Sequence, residues 1–235
     1  MQLSAFIGHL RLAGIYDGFE PGPEVDLQGW GSQHEIFERL IDELRPNSII
    51  ELGSWKGASA VHMARLCRAR GLNCTILCID TWLGGRYLYA ELDQHPELLP
   101  TAGRLRLFEQ FLTNVKRLEL TDIITPMPST TSDAAGTLRK LDVAVDLVYV
   151  DASHEAEDVA KDLRAYWDVL RPGGVLFGDD YAPAWPGVVK AVDAFAAEIG
   201  RPVEHVGIKY VIRKPLALRA DGAALRSPGS RIRLR

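Results

Sequence analysis

Cysteine is scarce in this sequence, long apolar runs are missing, and positive charge is not in excess. Cys67, Cys74 and Cys78 are the three cysteines, and their spacing fits neither a zinc site nor a redox pair. That pattern suits a reducing compartment, and Cys78 falls in an apolar run where a thiol behaves as a small hydrophobe. No segment approaches the length of a membrane span. His9, Arg11 and Asp17 interrupt the early apolar residues before a signal-like run develops. The expectation is a soluble cytoplasmic protein without a membrane partner. A net charge of −4 gives no broad attraction to nucleic acid, so no nucleic-acid partner is expected. The exception is local: Arg219, Arg226, Arg231, Arg233 and Arg235 are opposed only by Asp221, which reads as a basic, solvated tail.

What is present is an ordinary globular composition, 47% apolar and 25% charged, over 235 residues. That length supports one sizeable domain with a full core. Residues 1–31 carry weak periodicity and the turn formers Gly18, Pro21, Gly22 and Pro23, so they read as an irregular arm. Ser32 is placed to cap a helix whose face is Ile36, Phe37, Leu40, Ile41 and Leu44. From residue 47 apolar strand-like runs alternate with helical patterns, and no internal repeat or linker interrupts them before about residue 215. The expected division is an arm at 1–31, one domain at 32–214 and a tail at 215–235. The expected fold is α/β, doubly wound, with a mostly parallel sheet closed by an antiparallel hairpin over about 203–213. The stretch between Thr81 and Gly103 is irregular and reads as a lid or insertion.

In such sheets ligands bind beyond the carboxyl ends of the strands. Polar residues collect there: Glu51-Leu52-Gly53, Asp80, Ser129, Asp151 and Asp179-Asp180. The first strand runs into Gly53-Ser54-Trp55-Lys56-Gly57-Ala58-Ser59. Gly53 and Gly57 allow a sharp turn and close backbone approach. The following helix presents free N–H groups that seat a carboxylate, and Ser59 adds a hydroxyl. Asp80 suits two adjacent ribose hydroxyls, and Trp82 is placed to stack on an adenine ring. Trp55 stands where a dinucleotide-binding turn has its second glycine, which disfavours close pyrophosphate approach.

The segment ELGSWKGASAVHMARL resembles the first motif of catechol O-methyltransferase and its relatives among class I S-adenosylmethionine-dependent methyltransferases. The resemblance implies a Rossmann-like, seven-stranded methyltransferase sheet. It places Gly53 and Ser59 near the methionine part of S-adenosylmethionine, Asp80 on the ribose, and Glu51 beneath the turn and the cofactor's amino group. Ser129, or its neighbours Thr130 and Ser132, would lie near the adenine. Ser54, Trp55, Gly57, Thr81 and Trp82 complete the implied cofactor set.

A second constellation lies at Asp151-Ala152-Ser153-His154 and Asp179-Asp180-Tyr181. If the two preceding strands are neighbours, about 4.8 Å apart, three carboxylates come within reach of one cation. Mg²⁺ takes oxygen ligands at about 2.1 Å and leaves positions for substrate hydroxyls. A neutral alcohol is a poor nucleophile, so a base or a metal must stabilise the developing alkoxide, and His154 suits proton removal near neutrality. The same metal-dependent O-methyltransferases are similar here, which implies metal ligands at Asp151, Asp179 and Asp180 and a catalytic base at His154. Catechol O-methyltransferases have Lys at the base position and an amide at the third ligand. VDASHEAEDVAKDLRAYWDVLRPGGVLFGDDY instead resembles the sugar and macrolide-sugar branch. The expected function is therefore metal-dependent methyl transfer to a sugar or glycoside hydroxyl. A catechol-like or other small diol is the alternative acceptor, and a non-catalytic nucleotide-binding protein the alternative of another class. The basic tail alone speaks for nucleic-acid methylation, and no Asn/Asp-Pro-Pro-aromatic sequence occurs. The expected partner is a small-molecule or glycan acceptor, and a homo-oligomer is compatible with the sequence.

Overall fold

The computed structural model describes residues 1–85 and 93–217. The basic arginines from Arg219 onward and residues 86–92 of the lid-like stretch lie outside the described residues. In chain order the elements are α1 (Leu3–His9), a 3₁₀ turn (Leu12–Tyr16), α2 (Glu35–Leu44), β1 (Ser48–Leu52), α3 (Ala58–Ala69) and β2 (Thr75–Asp80). After a short 3₁₀ turn (Pro96–Leu98) come α4 (Arg106–Arg117), β3 (Ile124–Pro128), α5 (Thr131–Lys140) and β4 (Val145–Val150). The chain closes with α6 (Ala156–Val169), β5 (Leu170–Gly178), α7 (Pro186–Glu198), β6 (Glu204–Val206) and β7 (Lys209–Arg213).

One seven-stranded sheet has the order β3-β2-β1-β4-β5-β7-β6. The first five strands run parallel, β7 pairs antiparallel with β5, and β6 with β7. Successive side chains on a strand point to opposite faces, and the core divides accordingly. Ile49, Ile76, Cys78, Leu147 and Phe177 pack with α2, α3 and α4, while Ile50, Leu77, Val148, Leu176 and Ile212 pack with α1, α5, α6 and α7. The chain travels outward from β1 to β3 on one side and from β4 to β5 on the other. The direction changes between β1 and β4, and a crevice opens there beyond their carboxyl ends.

Two local expectations are corrected. The arm expected to be irregular over 1–31 is so from residue 17, but it opens with α1 and a 3₁₀ turn: Leu3, Phe6 and Ile7 of α1 are buried in one core layer, and Tyr16 in the other. The segment thus passes around the sheet edge at β3, where Tyr16 Oη donates to the Ile124 carbonyl at 3.0 Å. Short helices of this kind carry too few turns to show a period in sequence. The cap of α2 is His34, whose Nδ1 accepts from the Ile36 N–H at 3.2 Å, and not Ser32. Among the described residues no helix is long and apolar enough to cross a membrane.

Candidate active site

The register sets the floor of the crevice. Leu52 lies opposite Val150, and Val150 opposite Gly178, so Gly53, Asp151 and Asp179 leave three adjacent strands side by side. Gly53 has φ +77°, and a Cβ there would collide with the Asp151 carbonyl oxygen. A glycine is therefore required for backbone reasons before any ligand is considered. Gly57 (φ +86°) starts α3 with the Phe111 ring 3.0 Å from where a Cβ would stand. Between them Trp55 is left-handed at φ 48°, a conformation that costs a bulky residue free energy.

Asp80 holds that turn. Its Oδ2 accepts from the Ser54 and Trp55 N–H groups at 2.8 and 3.0 Å, and its Oδ1 from the Trp82 N–H at 2.8 Å. Burial pushes the Asp80 carboxyl upward, against the pull of these backbone donors. Glu51 lies deeper, fully buried, accepting from Ser59 Oγ at 2.5 Å and from Cys78 Sγ at 3.4 Å. Burial raises its carboxyl to about 7. Glu51 thus braces the turn from behind through Ser59.

A cleft of about 1110 Å³ joins these parts. Gly53, Ser54, Trp55, Ser59, Asp80, Thr81 and Ser129 line one end, and Asp151, His154, Asp179 and Asp180 the other. Thr130 and Ser132 also line it, Thr130 capping α5 through the Asp133 N–H. Trp82 does not line it. Its indole is 1% exposed, packs on Phe108 and Phe111 at 4.6 and 4.9 Å between ring centroids, and donates to the Trp55 carbonyl at 2.9 Å. The expected adenine stack is therefore withdrawn, because the left-handed backbone at Trp82 (φ 51°) turns the ring into the core.

At the other end Asp151, His154 and Asp180 bring ligand atoms within 4.8 Å of one another. His154 Nε2 lies 2.8 Å from Asp180 Oδ2, and Trp185 covers the imidazole at 3.9 Å between centroids. Asp180 is left-handed at φ 61°, its N–H donating to Asp179 Oδ1 at 2.9 Å. Burial, with the neighbouring charges of Asp179 and Asp180, raises the Asp151 carboxyl to about 7, against the pull of Lys209 and the Tyr149 hydroxyl. Of the expected metal set, Asp151 and Asp180 belong to this cluster, and Asp179 lines the cleft beside it. Asp179 Oδ1 is engaged by the Asp180 N–H, and its Oδ2 by the ammonium of Lys209, which is wholly buried. Asp179 thus already has a partner on each oxygen, whereas Asp151 and Asp180 each keep an oxygen toward the cleft. The carboxylates of Asp151 and Asp180 suit a divalent cation, with the His154 imidazole beside them.

Lys56, Asn114 and His95, at or near the cleft, escaped the sequence, whereas Trp30 reads there as a candidate pocket-lining group. Lys56, 6% exposed, pairs with Asp26 at 2.8 Å and Glu97 at 2.9 Å. Asn114 on α4 donates to the Asp26 and Lys56 carbonyls at 2.6 and 2.8 Å and accepts from the Asp26 N–H at 2.9 Å. Trp30 and His95 meet Trp55 at the cleft mouth, their ring centroids 5.8 and 5.5 Å from the Trp55 centroid. Lys56 lies inside the glycine turn and could have been suspected from that. Lys209 and Asn114 look like ordinary exposed strand and helix residues.

Residues 50–181 match a family described as a methyltransferase domain. None of the curated proteins compared with the chain matches its sequence. Among solved structures the chain is similar to the O-methyltransferase NovP, with 17% identity, a TM-score of 0.58, and coverage of 78% of this chain and 80% of that one. It is also similar to an O-methyltransferase from Bacillus cereus in complex with SAH, with 16% identity, a TM-score of 0.52, and 89% and 90% coverage. A third is CalS11, a TDP-rhamnose 3′-O-methyltransferase of calicheamicin biosynthesis, with 19% identity, a TM-score of 0.50, and 76% of each chain covered.

Proposed function

Because the chain belongs to the methyltransferase-domain family, we propose that it is an S-adenosylmethionine-dependent O-methyltransferase, assisted by a divalent cation, whose acceptor is a hydroxyl of a sugar or glycoside. One observation carries this reading. The glycine turn with Asp80 and Ser129, and the cluster of Asp151, His154 and Asp180, open into a single cleft. A methyl donor held at one end and a hydroxyl activated at the other therefore face each other.

S-adenosylmethionine, when bound, supplies an electrophilic methyl group on a sulfonium. The N–H groups at the start of α3 and the Ser59 hydroxyl suit the methionine end, with Ser54 part of the turn beside it. Thr81 and Asp80 suit the ribose, Asp80 with the acceptor capacity its backbone donors leave, and Ser129 to Ser132 suit the base. The carboxylates of Asp151 and Asp180 would hold the cation, which supplies charge stabilisation for a developing alkoxide. His154 accepts the hydroxyl proton, and Asp180, 2.8 Å from Nε2, aims the imidazole and stabilises its protonated form. Trp185 fixes the ring plane. The aromatic group at the mouth, Trp30, Trp55 and His95, offers flat faces on which a sugar ring can stack.

The sugar acceptor is favoured over a catechol by His154 and Asp180 standing where catechol enzymes have Lys and an amide, and by the likeness to CalS11. The test is methyl transfer from labelled S-adenosylmethionine to nucleotide sugars, glycosides and catechols, with Mg²⁺ or Mn²⁺ and with EDTA. Transfer to a sugar hydroxyl that EDTA abolishes supports the reading. Transfer to catechols alone moves the acceptor class. Absence of S-adenosylhomocysteine binding in calorimetry overturns it in favour of a nucleotide-binding protein.

A further inference from the structure

Lys209 is the most deeply buried cation of the described structure, with 0% exposure at the start of β7. Its ammonium meets Asp179 Oδ2 and lies 3.1 Å from Tyr149 Oη, over the rings of Phe37 and Tyr149 at 5.3 and 5.2 Å. Gly31 closes the space above the pair: a Cβ there would stand 2.9 Å from Asp179 Oδ2 and 3.2 Å from Lys209 Nζ. A buried ammonium is tolerated only when paired and hydrogen-bonded, and this one is both.

The arrangement has a direction. Lys209 has only protons to give, so Tyr149 Oη accepts from it and has one proton of its own to place. Asp151 Oδ2 is 2.9 Å away and Asp179 Oδ2, already taken by the ammonium, 3.3 Å. The phenolic proton therefore goes to Asp151, fixing one of its oxygens and leaving the other for the cleft. The same ammonium neutralises Asp179 at the floor of the cleft. Of the three strand-end carboxylates, Lys209 thus withdraws one and, through Tyr149, orients another.

We propose that Lys209 is a positioning residue that keeps Asp179 out of the cation's coordination shell, so that the site is built on Asp151 and Asp180 with a resident positive charge behind them. This inference rests on the cation-assisted reading above. A site with one fewer available carboxylate binds its cation less tightly and leaves more of its charge for the acceptor oxygen.

The test is Mn²⁺ binding to the protein saturated with S-adenosylhomocysteine, followed by calorimetry and by the paramagnetic resonance of free Mn²⁺. Asp180→Ala should weaken binding by about tenfold or more, as loss of a metal-orienting group does. The paired variant Asp179→Leu with Lys209→Met removes the ion pair without changing net charge, replacing it with apolar groups of similar size. It should bind Mn²⁺ with an affinity close to wild type. Lys209→Met alone frees the Asp179 carboxylate and should bind more tightly than wild type, a shift that a merely structural lysine would not produce. A paired variant that loses as much affinity as Asp180→Ala makes Asp179 a ligand and overturns the proposal while leaving the cation-assisted reading intact. Wild type that binds S-adenosylhomocysteine but no Mn²⁺ overturns both.

Discussion

Asn114 joins three pieces of chain, so replacing it tests whether the approach to the cofactor turn is stitched from α4. In Asn114→Ala the Lys56 carbonyl, buried where water cannot reach it, loses its side-chain donor, and the Asp26 N–H and carbonyl lose theirs at a half-exposed place. An unsatisfied buried acceptor costs about 1–3 kcal/mol, and a bond that water can replace about 1 kcal/mol or less. Together these give a loss of about 3 kcal/mol, which for a domain of this size lowers the melting temperature by about 6–12 °C. Asn114→Asp is the sharper variant. It keeps shape and size but turns a carboxylate oxygen toward the two carbonyls that the amide nitrogen served. The assay is thermal and urea unfolding, with S-adenosylhomocysteine titration of the remaining folded protein. Asp should be at least as damaging as Ala at pH 7, and both should weaken cofactor binding, because the Trp55–Lys56 turn loses its tether. If Asn114→Asp melts within a degree or two of wild type, the stitching argument is wrong.

Three further outcomes follow from the same geometry. Gly53→Ala should abolish S-adenosylhomocysteine binding or the fold itself, whereas Gly136→Ala, in open space on α5, should gain up to about 1 kcal/mol in urea unfolding; equal behaviour of the two would refute the close approach of Gly53 to Asp151. Burial lifts Glu51 from 4.5 to about 7, so the folded protein keeps a proton that the unfolded chain releases, and between those values stability falls as pH rises. Glu51→Gln should flatten that decline in unfolding midpoints measured from pH 4.5 to 8, and an unchanged slope would remove Glu51 as its source. Trp82→Phe, which loses the bond to the Trp55 carbonyl, should cost about 1–2 kcal/mol of stability and leave cofactor affinity nearly intact. An affinity loss of about tenfold with an unchanged melting point would restore the adenine stack.

Much of this was legible in the chain because β strands and helices announce themselves by period. The alternation expected from residue 47 is the succession from β1 to α7, and the hairpin expected over about 203–213 is β6 and β7. Site residues at strand ends inherited that clarity: Gly53, Asp80, Asp151 and Asp180 all reach the cleft. What failed were properties of side-chain direction and pairing. Nothing in the letters around Trp82 tells that its backbone is left-handed and its ring turned inward. Asp179 and Asp180 are identical in type and adjacent, and only a lysine thirty positions later on a neighbouring strand gives them different surroundings. The first thirty residues lacked a readable period because their contacts are with distant parts of the chain rather than with one another.

Those distant contacts set an order of assembly. Tyr16, Gly22 and Asp26 are anchored by Ile124, Thr113 and Asn114, which follow them by 108, 91 and 88 positions. A chain emerging from the ribosome carries the opening belt for most of a hundred residues before its seat exists, and closing loops of that length is entropically costly until strand pairing rewards it. Until then the outer edge of β3 stands open, a surface on which two nascent chains can pair. The belt is thus among the late pieces to settle in this half of the sheet, and its settling also brings Gly31 down over Lys209.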